Sequence, residues 1–200
     1  DALRARDPFA LLVGMLLDQQ MPMERAFLGP YKLAERLGSP DRLEPARIAA
    51  FDPQEFAQLA ATPPAVHRFP GAMAGRIQAL AAHVVTEYAG DTAALWRAVP
   101  TGEALHHRLL ALPGYGEQKA RILAALLGKQ LGVRPRGWQE ACAPYGEAGS
   151  RRSVADVIDE CQGRTGAGGR PGWPDQSRAA VVAVLTNECN HHGLRAICCC

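Results

Sequence analysis

A five-residue segment with the sequence LPGYG, at positions 112–116, separates two stretches whose apolar residues recur at a helical period. Proline does not continue a helix, and glycine adopts backbone conformations that other residues avoid. The segment therefore predicts a tight connection between two helices, the first over residues 102–110 and the second from residue 117 to 127 or 131. Any fold of this chain has to accommodate a helical hairpin over residues 102–131.

The rest of the first 150 residues has the same helical character. Aspartate followed by proline, as at Asp7-Pro8 and Asp52-Pro53, is typical of a helix start, because aspartate caps the first amides and proline fits the first turn. Aromatic residues make up only 6% of the chain, and alternation of β-branched residues extends over no more than a few positions, so strands are not expected. The sequence predicts an all-α fold. Helices are expected at residues 8–16, 23–37, 44–50, 53–60, 71–88, 92–99, 102–110 and 117–131.

The sequences of the first two helices also predict where the first lies and whether the second is continuous. The helix after Pro8 is apolar nearly all round, which predicts a position in the centre of the core. The second helix contains Gly29-Pro30, and this pair is expected to kink or split it.

The composition changes after about residue 150. Residues 163–174 are rich in glycine, arginine and proline and lack an apolar period, which is typical of a linker or a disordered segment. We therefore expect a helical domain over residues 1–150 and a disordered or irregular tail over residues 151–200. No apolar stretch approaches the roughly 20 residues that cross a bilayer, so no membrane contact is expected. The expected protein is a cytoplasmic monomer, in the bacterial cytoplasm or nucleoid if the source is prokaryotic.

All six cysteines lie in the last third of the chain, where they do not suggest a disulfide framework for the fold. Cys189, His191, His192 and the three cysteines 198–200 form a loose cluster. The cluster lacks the paired spacing that zinc sites show. We therefore expect no metal site.

The residues of the hairpin suit the binding of a phosphate. Gly114 and Gly116 let backbone amides approach an anion without a Cβ in the way. The first turn of the following helix adds unsatisfied amides and the positive end of the helix dipole, and Lys119 and Arg121 add mobile positive charge. The net charge of +2 is too small to indicate a nucleic acid by itself. The same residues also fit a simple turn between two helices that binds no ligand.

Two segments far apart in the chain resemble one known family. The hairpin phrase, with apolar spacing on both flanks, runs Leu109-x-x-Leu112-Pro113-Gly114-Tyr115-Gly116-x-x-Lys119-Ala120. The upstream segment begins Asp7-Pro8-Phe9 and ends Leu16-Leu17-Asp18-Gln19-Gln20. Together they resemble the helix-hairpin-helix DNA glycosylase superfamily, which includes endonuclease III, the adenine glycosylase that acts on mispairs and the alkyladenine glycosylases.

The resemblance implies a two-lobed helical fold and a function in base-excision repair on damaged double-stranded DNA. By the same resemblance Gln20 enters the duplex where the target base has been extruded, because a planar amide can fill the gap and bond the orphaned partner base. No cofactor is implied, although the hairpin could hold a monovalent cation. The residues expected to contact DNA at the hairpin are Pro113, Gly114, Tyr115, Gly116, Gln118 and Lys119.

The chain departs from the family at the catalytic position. The family carries an aspartate after the second hairpin helix, where it stabilises positive charge on the sugar. Here no carboxylate occurs from residue 131 until Glu140, which is a weaker candidate. Asp18 is the catalytic candidate, since it precedes the glutamine expected to enter DNA, although an aspartate there also fits a helix cap. Trp138 is expected to stack on the extruded base, with a core position as the alternative.

Two further departures limit the chemistry. Bifunctional members carry a nucleophilic lysine two positions after the second hairpin glycine; here that residue is Gln118, which cannot form an imine, so no AP-lyase activity is expected. The cysteine spacing does not fit the family's iron-sulfur cluster. The sequence predicts a monofunctional DNA glycosylase of a short branch without the cluster. The alternatives are a catalytically inactive lesion- or structure-specific DNA-binding protein and a helical protein-interaction module.

Overall fold

The computed structural model describes residues 7–40, 42–150 and 152–156 of the chain. Within these ranges the regular structure is helical, and extended segments pair only at one isolated bridge, between Thr101 and Arg136. The all-α prediction is confirmed for this part of the chain. Two short 3-10 turns occur at Thr92–Leu95 and Val154–Asp156. The α-helices are α1 (Pro8–Leu17), α2 (Met23–Arg36), α3 (Pro45–Ala49), α4 (Pro53–Ala61), α5 (Pro70–Tyr88), α6 (Gly102–Leu110), α7 (Glu117–Gln130) and α8 (Trp138–Ala141).

The predicted helices begin and end close to the observed ones, with two exceptions. The helix expected at residues 92–99 is only the 3-10 turn Thr92–Leu95, because Ala98 has a left-handed backbone with a φ of 55° and Pro100 disfavours a helical residue before it. α2 continues through Pro30, so the expected split is absent. A proline removes one backbone donor, and the packing of α2 on α1 outweighs that loss.

α1 lies at the centre of the core, as its apolar sequence predicts. Every residue from Phe9 to Leu17 is buried. Oδ1 of Asp7 starts the helix by accepting from the N–H groups of Phe9 at 3.1 Å and Ala10 at 3.0 Å, and Oδ2 accepts from the N–H of Leu43 at 2.7 Å. Burial raises the pKa of Asp7 from its ordinary value, and these bonds from backbone amides oppose the rise.

The helices pack in two groups that share one core. α1 packs on α2, and α5 packs on both α3 and α4. In the second group α7 packs on α6, on α8 and on the turn Val154–Asp156. The buried apolar side chains of both groups form one continuous cluster. The hairpin of α6 and α7 is therefore part of the same packed unit as α1.

The packed structure extends past residue 150. Val154 and Ala155 are buried, and the ammonium of Lys129 pairs with Asp156, so the first residues of the expected tail cover α7. The cysteine and histidine cluster over residues 189–200 lies outside the described residues. None of the described helices is long and apolar enough to cross a membrane.

The cap of α1 generates a stability prediction. Asp7→Ala removes three hydrogen bonds to a partly buried carboxylate, and we expect it to lower the free energy of unfolding by about 2–4 kcal/mol. Asp52 is the matched control, since it caps α4 at an exposed position with two bonds of 2.9 Å, from the N–H groups of Gln54 and Glu55. Asp52→Ala should cost about 1 kcal/mol. Urea unfolding at neutral pH measures both losses, and equal losses would contradict the larger role of Asp7.

Candidate nucleic-acid interface

The hairpin between α6 and α7 has the tight turn that its sequence predicts. The N–H of Tyr115 donates to the carbonyl of Leu112 at 3.1 Å. Gly114 has a φ of 82°, in the left-handed region that favours glycine, whereas Gly116 has an ordinary φ of −99°. A Cβ on Gly114 would lie 2.5 Å from Cδ1 of Leu16, but a Cβ on Gly116 would meet nothing within 4 Å. The fold therefore requires glycine at 114 and not at 116.

Tyr115 anchors the hairpin to α1. Its side chain is buried, and its hydroxyl donates a hydrogen bond of 2.7 Å to the carbonyl of Leu12. Burial raises the pKa of Tyr115 well above its ordinary value. This position corrects the expectation of a DNA contact by the Tyr115 side chain, because the ring and the hydroxyl are enclosed in the core.

Lys119 makes a second link to α1. Its ammonium donates to the carbonyls of Met15 at 2.7 Å and Leu16 at 3.1 Å. These carbonyls belong to the last turn of α1, which lacks helical donors and forms the negative end of the helix dipole. Burial lowers the pKa of Lys119 to about 8; nearby Asp18 opposes this fall and Arg76 adds to it. The sequence predicts a mobile charge for DNA at this position, and in the structure the ammonium caps α1 instead.

The first turn of α7 is accessible from solvent. Gly116 is its N-cap and is exposed, and no side chain caps the helix, so its first amides have no helical partners. Glu117 brings a carboxylate into this turn, and a guanidinium nitrogen of Arg121 lies 2.7 Å from it. Gln118 donates through Nε2 to the hydroxyl of Tyr145 at 3.2 Å. The turn thus combines free amides with a carboxylate that is paired to a cation.

The turn after α1 carries two of the predicted site residues, Asp18 and Gln20. Asp18 is half-buried and is the C-cap of α1, with its N–H donating to the carbonyl of Gly14 at 3.1 Å. Gln20 is exposed and has a left-handed φ of 55°. Few residues other than glycine adopt this conformation, and it persists where the surroundings hold the backbone.

Gln19 fixes this turn through residues that the sequence did not single out. Its carbonyl lies 2.8 Å from Nε2 of His67, and Nδ1 of the same ring accepts from the N–H of Phe69 at 3.0 Å. The ring proton is therefore on Nε2 and is donated to Gln19. Arg76 on α5 donates to Oε1 of Gln19 at 3.0 Å. No motif marks His67 or Arg76, and only their position in the fold links them to the turn.

The two sequence motifs meet in space, but Trp138 does not join them. Through Tyr115 and Lys119 the hairpin lies against α1 next to Asp18. The ring of Trp138 occupies the space that a Cβ on Gly128 would take, and Gly128 follows Lys119 by nine residues, about 13 Å along the axis of α7. The half-buried tryptophan packs against the core, which is the alternative that the sequence left open.

Glu140, the weaker catalytic candidate, also lies elsewhere. It lines a cavity of about 440 Å³ at α6 and α8, together with Thr101, Glu103 and Arg136. No residue of the turn after α1 lines this cavity. Among the described residues no group of three or more His, Cys, Asp and Glu side chains is arranged to hold a metal ion.

The burial of Lys119 predicts a pH-dependent stability. Its pKa in the fold, about 8, is below the ordinary value of 10.5, so between these values the unfolded chain binds more protons than the folded protein. The contribution of Lys119 to the free energy of unfolding should therefore rise as the pH increases from about 8 to 10.5. In urea unfolding across this range, the free energy of unfolding of the wild type minus that of Lys119→Gln should rise with pH. A wild-type-minus-variant value that stays constant or falls would contradict the prediction, and Arg97→Gln, which removes an exposed cation, is the control.

Comparison of the chain with models of known protein families gives no match, and neither do comparisons with curated proteins and with solved structures. The likeness to the helix-hairpin-helix glycosylases therefore rests on the two segments quoted above.

Proposed function

We propose that the chain binds duplex DNA through the hairpin and releases a damaged base as a monofunctional DNA glycosylase. The observation that carries this proposal is the docking of the hairpin on α1. Lys119 bonds Met15, 104 residues away in the chain, and Tyr115 bonds Leu12. The open first turn of α7 and the turn that carries Asp18 are thereby attached to the same end of α1. One surface can then hold a DNA strand and reach one of its bases.

The first turn of α7 supplies the contact with the DNA backbone. Amides without helical partners, at the positive end of a helix dipole, bind a phosphate oxygen whatever the base sequence. Gly116 leaves room for the phosphate, since even a Cβ there would meet nothing in the protein. Arg121 pairs with the carboxylate of Glu117 in the same turn, which reduces the repulsion of a phosphate.

Gln20 supplies the contact with the bases. Its exposed side chain projects from a bent turn and can enter the base stack, where an amide fills the space of an extruded nucleotide. His67 and Arg76 hold the turn through Gln19. A backbone that is already held loses less conformational freedom when DNA binds.

Asp18 is the residue that we assign to the chemistry. When the N-glycosidic bond breaks, its electron pair leaves with the base and positive charge develops on the sugar, which a carboxylate stabilises. A water molecule then adds its oxygen to C1′ of the sugar, and its proton passes through Asp18 to the departing base. The charge of Lys119 interacts with that of Asp18, so the ammonium lies close to the carboxylate that we assign to the chemistry.

A DNA-binding protein without catalytic activity is the second candidate. Residues 131–139 contain no carboxylate, whereas the family carries its catalytic aspartate after the second hairpin helix. Asp18 also has a structural role at the end of α1, which accounts for an aspartate there without catalysis. Both candidates share the hairpin and its phosphate contact, and they differ only in whether a base is released.

The two hairpin glycines give a matched test of DNA binding. Gly116→Val should leave the fold intact and weaken binding to a short duplex at least tenfold, because the added side chain blocks a charge-assisted hydrogen bond worth roughly 1.5–3 kcal/mol. Gly114→Val should instead lower the thermal unfolding midpoint, since it strains a left-handed residue and collides with Leu16. Fluorescence anisotropy and calorimetry separate the two effects. Unchanged affinity in Gly116→Val would remove the hairpin from the interface.

Base release tests the catalytic assignment. Duplexes that carry a single deaminated, oxidised or alkylated base are incubated with the protein, and the free base is quantified. Asp18→Asn keeps the size of the side chain and removes its charge, so we expect release to slow by roughly a hundredfold or more while DNA affinity is retained. Release at the wild-type rate by this variant would rule out Asp18. No release of any base by the wild type would favour the non-catalytic candidate.

A further inference from the structure

Three cationic residues share one face of α2. Arg25, Lys32 and Arg36 are spaced by seven and four residues, so at 3.6 residues per turn they lie within about 40° of one another around the helix axis. The three span about 16 Å along α2. We call these residues the cationic band.

The charges of the cationic band have no acidic partner in the described structure. Arg36 donates to the carbonyls of Leu59 and Pro64, both at 2.9 Å, so backbone dipoles hold its guanidinium. Burial, and then the charges of Arg36 and Arg25, lower the pKa of Lys32. Neither Arg25 nor Lys32 forms an ion pair with a carboxylate that the structure describes. Positive charge that has no close carboxylate among the described side chains attracts anionic ligands.

The cationic band borders the turn after α1. Gly29 lies in the middle of the band, and a Cβ on it would meet Leu17, the last residue of α1, and the carbonyl of Val66. The next residue after Val66 is His67, which holds the turn through Gln19. The band is therefore adjacent to the residues expected to meet the bases, and it belongs to a different helix from the hairpin.

We propose that the cationic band binds backbone phosphates of the same duplex and is a second contact independent of the hairpin. The inference rests on the proposed function, because the occupant is the DNA that the hairpin holds. One strand carries a charge about every 3.4 Å along the duplex axis, so a band of about 16 Å faces four or five phosphates. The guanidinium of Arg25 can bind a phosphate with two hydrogen bonds, and the ammonium of Lys32 adds a second positive charge. Arg36 remains hydrogen-bonded to the carbonyls of Leu59 and Pro64, and its positive charge adds to the electrostatic attraction of the phosphates.

The salt dependence of DNA binding tests this contact. The logarithm of the association constant changes with the logarithm of salt concentration with a slope of about −0.9 for each phosphate contact. The double variant Arg25→Gln, Lys32→Gln should make the slope shallower by about 1.8. The matched control, Arg47→Gln with Arg97→Gln, removes the same charge from side chains bonded to Ser39 and Asp91 and should keep the wild-type slope. Both variants are titrated with a duplex of about 20 base pairs, and thermal unfolding confirms that they fold.

Each outcome decides between the two contacts. A shallower slope in the band variant alone supports the inference. An unchanged slope in that variant, while Gly116→Val still weakens binding, overturns the inference and leaves the proposed function standing. An equal change in the control pair also overturns it, because the effect is then that of net charge.

If the wild type does not bind duplex DNA, the proposed function fails, and the inference that rests on it fails as well. If the band variant loses only binding to vesicles of anionic lipid, the band is a membrane contact and the inference is wrong.

Discussion

Because Phe9 to Leu17 are buried, the carbonyls of the last turn of α1 need protein donors, some from Asp18 and Gln19 directly after the helix and others from the hairpin. Lys119 supplies them for Met15 and Leu16, and Tyr115 adds a bond to Leu12. Both donors come from the hairpin or the helix after it, so satisfying the end of α1 also fixes where the hairpin lies. Gly114 completes the contact, because its missing Cβ makes room for Leu16. The proposed DNA-binding surface exists only because these groups meet.

The distribution of charge matters more here than its sum. The net charge is only +2, and several opposite charges are paired, such as Arg97 with Asp91 and Lys129 with Asp156. Around the end of α1, some positive side chains have no described acidic partner. Arg76 bonds Gln19, and Arg25 and Lys32 lie nearby on α2 without a described acidic partner. A nearly neutral protein can in this way present a positive surface to a phosphate backbone.

Asp18, to which we assign the chemistry, interacts with Lys119 at the end of α1. The lysine neutralises the negative end of α1 at the cost of partial burial, which lowers its pKa to about 8. The carboxylate of Asp18 is the charge that opposes this loss of the proton. Any chemistry at Asp18 is therefore coupled to the cap of α1, so a catalytic role and a stability effect have to be separated by an isosteric variant such as Asp18→Asn.

The sequence by itself determined most of the helices, the cap at Asp7 and the turn before α7, because capping, proline geometry and apolar period act over a few residues. It also singled out Asp18 and Gln20, although only as members of a motif. Tertiary structure decided what the side chains do. Tyr115 and Lys119 lie in a hairpin typical of phosphate binding, yet both bond α1, and Trp138 packs on Gly128 instead of joining Asp18. The partner of a long side chain depends on which helices meet, and local sequence does not encode that across a hundred residues.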